Sequence, residues 1–177
     1  MNKISKCLLL AVPLCAAAIA GRISGNLLKT VETSLDDRIK SLWPDNPFSV
    51  IRQARGLYLD GYGAVFAMDV SPVLSTTSMM HPTVTKDEVT KAHKMRLEHV
   101  AELRTAMRMA VADAASSLDP LQADEQVTLV VYLTYHDWED ISGTPGQITF
   151  RGKKKALIDA KRAGAAALAQ AVTVTDN

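Results

Sequence analysis

The sequence predicts an α+β domain: a four-stranded, mostly antiparallel sheet made of two hairpins, with three helices on one face. Three observations predict it. Apolar residues recur at helical spacing in three stretches, 26–42, 87–118 and 156–171. Between them lie two pairs of β-prone runs, punctuated by Asp60-Gly61 and by Gly143-Thr144-Pro145-Gly146. No internal repeat or low-complexity linker divides the chain, so residues 21–177 are read as a single domain.

The first residues stand apart from that domain. Lys3 and Lys6 precede an apolar run over 7–19, which ends in Ala18-Ile19-Ala20. The run is shorter than the ~20 apolar residues a membrane-spanning helix needs. A charged start, an apolar middle and small residues at the end predict a secretory signal peptide over 1–20, cleaved between Ala20 and Gly21. An uncleaved anchor is the alternative. Cleavage would remove both cysteines, Cys7 and Cys15, leaving a mature chain held by its core alone. It would also lower the Lys and Arg count from 20 to 18, against 19 acids, for a net charge near −1. That balance gives no long-range attraction to nucleic acid, so nucleic-acid binding is not expected.

In the first helix Leu27, Leu28, Val31, Leu35, Ile39 and Leu42 share one face, with Glu32, Asp36 and Asp37 off it. Trp43-Pro44 ends it, because the residue before proline is displaced from helical backbone. The next stretch, GLYLDGYGAVFAMDV over 56–70, could be a phosphate-cradling loop or a hairpin. Its glycines lead into a strand rather than a helix N-terminus, which favours the hairpin. Ala64, Phe66, Met68 and Val70 alternate as its core face, and Asp69 points away. Residues 71–86 form a hydroxyl-rich connection, a flexible excursion or a lid.

The long helix over 87–118 can be capped by Thr85 or Asp87 and is stopped by Asp119-Pro120. At 1.5 Å per residue it is roughly 45 Å long, more than one sheet usually covers. Arg96 falls on its apolar stripe beside His93, so its first turns are expected to project, or to form a homodimer interface. A β-rich run over 126–135 and a strand over 148–153 make the second hairpin, and an alanine-rich helix over 156–171 closes the chain.

Few constellations carry chemistry. His136, Asp137, Glu139 and Asp140, in the loop HDWEDISGTPGQ, are the one dense group of metal-ligand types. Their spacing lacks the alternation of a calcium loop, and the competing reading is a solvated tip with Trp138 folded back as a plug. The histidines, His81, His93, His99 and His136, do not repeat at the four-residue spacing of a helical zinc site. No serine lies in a nucleophile elbow, and no cofactor-binding motif is present. Arg151, Lys153, Lys154 and Lys155, with Lys161 and Arg162, form a basic run that either protects a sheet edge or meets an anionic surface.

Tyr58, Leu59, Gly61, Tyr62, Gly63, Val65 and Phe66, followed by Lys153, Lys154, Lys155 and Asp159, resemble a pattern in uncharacterised exported bacterial proteins with a Y-L-x-G-Y-G hairpin. The resemblance covers the chain from Gly56 onward. It implies export and one α+β domain, and brings no catalytic residue.

The expectation is therefore an exported, non-catalytic binding or assembly module of the periplasm or cell surface, without a resident cofactor. Its expected partners are a protein or another envelope component. The alternative is a metal-dependent enzyme or metal-binding protein using His136, Asp137, Glu139 and Asp140.

Overall fold

The computed structural model describes residues 23–46, 49–74 and 83–177. The signal peptide and the Ala20–Gly21 junction therefore lie outside the described residues, as does the 75–82 half of the 71–86 connection, including His81. The chain order is α1 (Gly25–Leu42), β1 (Val50–Leu59), β2 (Gly63–Val70), α2 (Lys86–Ser117), β3 (Gln126–Leu133), β4 (Gln147–Lys153), α3 (Lys154–Ala163), α4 (Ala165–Ala171) and β5 (Thr173–Asp176). The expected α+β class is observed, but with five strands and four helices rather than four and three.

The strands lie side by side in chain order. Three pairings are antiparallel, while β2 and β3 run parallel in unbroken register from Gly63 opposite Gln126 to Val70 opposite Leu133. The two hairpins are thus joined into one mixed sheet by a crossover that contains α2. A parallel neighbour requires such a crossover, and α2 supplies it.

The β1–β2 turn is made by Asp60, Gly61 and Tyr62, with Gly61 at φ 72°. Gly63 follows at φ 131°, and a Cβ there would run into the Gln126 carbonyl. Glycine is required at this point by backbone conformation and by close approach together. The glycines thus serve the hairpin, as the sequence predicts, and the core face of β2 is the predicted one: Ala64, Phe66, Met68 and Val70 are all fully buried.

All helices pack on one side of the sheet. Val31, Leu35 and Ile39 of α1 and Val100, Leu103, Met107 and Val111 of α2 meet Phe66, Leu129, Ile148 and Phe150 from the strands. Burying each such side chain stabilises the fold by about 1.5–3 kcal/mol before chain entropy is set against it. Thr85 opens α2 with a reciprocal capping box: its hydroxyl accepts from the Glu88 amide, and the Glu88 carboxylate accepts from the Thr85 amide.

Two elements at the chain's end differ from expectation. The single closing helix is interrupted at Gly164, whose φ of 106° breaks it into α3 and α4. The chain then returns as β5 along β4, clamped by a two-pronged bridge from Arg104 to Asp176 at 2.8 and 2.7 Å. Because β5 covers it, β4 is not a sheet edge, and the basic run does not protect one there. The run is instead divided. Arg151 and Lys153 point away from the helices, Lys154 donates to the carbonyls of Asp119 and Leu121, and Lys155 pairs with Asp159.

The true long edge is β1, and α1 guards it. Asp36 accepts from the Ala54 amide and Glu32 from the Gly56 amide, each at 2.8 Å. Both acids are buried although the sequence places them off the apolar stripe. Burial pushes the Glu32 carboxyl up, but the Gly56 amide, Lys29 and Arg55 together outweigh it and hold the group below its usual range.

Candidate functional site

The loop richest in ligand-type residues is organised by a buried ion pair. Arg96 does not project from α2; it turns into the β3–β4 loop with its side chain 1% exposed. Its guanidinium donates to Glu139 Oε2 at 2.9 Å, to the Thr134 carbonyl at 3.2 Å and to Thr144 Oγ1 at 3.2 Å. Glu139, also 1% exposed in its side chain, uses its second oxygen to accept from the His136 amide at 2.8 Å. Arg96 therefore no longer argues that the first turns of α2 project or form an interface, because its place on the apolar stripe is explained by this buried partner. A guanidinium on an apolar stripe signals a buried partner, and the loop provides one.

The remaining candidates disperse. The His136 ring stacks on Trp138 with centroids 5.7 Å apart, and the buried Trp138 Nε1 has no hydrogen-bond partner. Asp137 is exposed. Asp140 accepts from the hydroxyl and amide of Ser142, which hold its carboxyl below the usual range, while its backbone carbonyl accepts from His93 Nδ1. Among the described residues no three His, Cys, Asp or Glu side chains converge as a metal would require.

A second feature lies where α1 ends and β2 gives way to the following connection. A cleft of about 370 Å³ is lined there by Trp43, Asn46, Pro72, Met95, His99 and Glu102, among others. Trp43 donates from Nε1 to Glu102 at 3.1 Å and stacks on His99, with centroids 5.0 Å apart. Because the partner is a carbonyl, His99 must donate from Nδ1 to Pro72 O, at 2.6 Å, leaving Nε2 as the acceptor in the neutral ring. No Ser, Thr or Cys is among the described lining residues.

The third feature is the helix-free face of the sheet. Register places Leu57, Val65, Thr128 and Arg151 in one row across it, and Arg55, Ala67, Val130 and Thr149 in the next. An irregularity between Arg52 and Arg55 sets Arg52 opposite Asp69, and the two form an ion pair at 3.3 Å. Tyr62 reaches back from the turn so that its hydroxyl and that of Thr128 lie 3.0 Å apart. The result is an exposed surface carrying Leu57, Leu59, Tyr62 and Tyr132, each between 39% and 48% exposed. Alternation along each strand already separates these residues from the core. Which face stays uncovered depends on the helices all packing together, and that was not legible in one segment alone.

Compared with protein-family models, curated proteins and solved structures, the chain matches none. No helix among the described residues is long and apolar enough to cross a membrane.

Proposed function

We propose that the chain is an exported, non-catalytic binding or assembly module of the bacterial envelope, and that it binds through the helix-free face of its sheet. One observation carries the reading: Leu57, Leu59, Tyr62 and Tyr132 stay exposed on a sheet whose other face carries the core. Exposed apolar and tyrosine side chains grouped on one surface mark interaction sites, and tyrosine and arginine are the residue types enriched at protein interfaces. The N-terminal pattern of charge, apolar run and small residues supports export. Against the metal-dependent alternative, His136, Asp137, Glu139 and Asp140 do not converge among the described residues, and both Glu139 oxygens already accept hydrogen bonds.

A photoreactive residue placed at Tyr132, and separately at Lys94 on the exposed side of α2, tests the reading in producing cells. Adducts at position 132 and not at 94 are expected. Equal labelling at both positions, or none at 132, would end the proposal that this face is the binding surface.

A further inference from the structure

We infer that the occupant of the helix-free face is an acidic polypeptide surface. The inference rests on the preceding reading of that face as the binding surface and adds the chemistry of the partner. On the strands of this face Arg52, Arg55, Arg151 and Lys153 stand beside a single carboxylate, Asp69. Arg52 is matched by Asp69 and Arg55 by Glu32 at the rim, both at 3.3 Å. Arg151 and Lys153 have no ion-pair partner among the described residues. Residues 21–177 as a whole sum to about −1, from 18 Lys and Arg against 19 acids, whereas the strands of this face carry four cations against one carboxylate. A partner with carboxylates opposite Arg151 and Lys153 would be steered and oriented by that contrast.

Three further observations select the kind of occupant. A second copy meeting this face with the same face would set one excess of cations against another, because each face offers only Asp69 against Arg52, Arg55, Arg151 and Lys153. A lipid surface would strip the remaining water from the Arg52–Asp69 pair, which lies beside Tyr132 near the end of β2. An added strand along β1 is disfavoured, because the outward amides of Ala54 and Gly56 already donate to Asp36 and Glu32. What fits is a folded or extended acidic polypeptide lying across the face, its apolar side chains against Leu57 and Tyr132 and its carboxylates against the cations.

The test uses the whole chain, expressed with its own N-terminus, and a random copolymer of glutamate and tyrosine as the probe. The copolymer is expected to bind. Arg151→Glu with Lys153→Glu should weaken binding about tenfold or more, since two attractive contacts become repulsive. Lys91→Glu with Lys94→Glu, on exposed positions of α2, should leave it unchanged. Raising the ionic strength from about 0.05 M to about 0.5 M should weaken it further. Both altered pairs are exposed, and the circular dichroism spectrum checks that each variant folds; should the glutamate pair not fold, Arg151→Ala with Lys153→Ala replaces it. Equal loss in the helix variant would overturn the inference, as would absence of binding to the parent chain. Phosphatidylglycerol vesicles that bind where the copolymer does not would assign the face to a membrane. Self-association in the ultracentrifuge that the Arg151/Lys153 variant abolishes would assign it to a second copy. Adducts at position 132 without copolymer binding would retain the face and reject acidic chemistry; loss of both would reject the face itself.

Discussion

Replacing Glu139 by alanine should be among the most damaging single changes in this protein. The Arg96 and Glu139 side chains are each only 1% exposed, and their contact is 2.9 Å long. The substitution would leave a guanidinium in the interior with only two neutral acceptors, Thr134 O and Thr144 Oγ1. It would also release the His136 amide. Removing one partner of a buried pair costs about 3–5 kcal/mol, several times what an exposed pair is worth. At this chain length that corresponds to a fall in melting temperature on the order of 10 °C. Urea unfolding of Glu139→Leu, Arg96→Met and the pair Arg96→Met/Glu139→Leu gives the full cycle, with Glu139→Ala measured beside it. The double variant should lose far less than the two single losses added together, because apolar groups of similar volume can replace a buried bridge at little cost. A loss below about 1 kcal/mol for Glu139→Ala, the range of exposed pairs, would refute the reasoning. Simple additivity of the two single losses would refute it as well.

Other positions give sharper readouts. The Glu32 carboxyl lies below its ordinary value of 4.5, so its contribution is fully present above that pH and is lost as pH falls through the lower, folded value; Glu32→Gln should therefore flatten the acid limb of the stability curve, and an unchanged limb would remove Glu32 from the account. Tyr58 is pushed up to about 12, first by its hydrogen bond to Glu125 at 2.7 Å. Ultraviolet titration should show one tyrosine ionising near that value, and Tyr58→Phe should delete that step and no other. Gly63→Ala should destabilise far more than Gly61→Ala, because only Gly63 adds a clash with the Gln126 carbonyl to its positive φ; comparable thermal melts would contradict that assignment.

The sequence carried the hairpin, the core parity of β2, the limits of α1 and the capping of α2, because each depends on spacing or turn chemistry within a few residues. It did not carry the fifth strand. Thr173, Val174, Thr175 and Asp176 are few, and three of the four are polar, so β4 and the Arg104 bridge hold them in place. The parallel pairing of β2 with β3 was missed although its signal was present: a long helix between two strands is what a parallel crossover requires. At the candidate site, composition pointed to the His136-to-Asp140 loop, but partner choice is a matter of three-dimensional contact. Arg96 takes Glu139 from forty-three positions away, and no local pattern records that. The same holds for Glu32 and Asp36. Their partners are backbone amides of a strand, which every residue but proline possesses and which therefore leave no mark in the sequence.

Those two acids bear on how the protein assembles. A ten-residue edge strand with free amides invites pairing with any other extended chain, and such edges are commonly covered or charged. Here Glu32 and Asp36, one helical turn apart on α1, meet alternate amides of β1, so the spacing of a helix is matched to the spacing of a strand edge. With the Ala54 and Gly56 amides occupied, association through the backbone of that edge is disfavoured, whereas the side chains of the helix-free face remain open. The sheet is thereby biased toward recognition by side chains, which can discriminate between partners, and away from recognition by main-chain hydrogen bonds, which cannot. On the proposed function, edge protection and selective binding are two consequences of the same packing of α1 against β1.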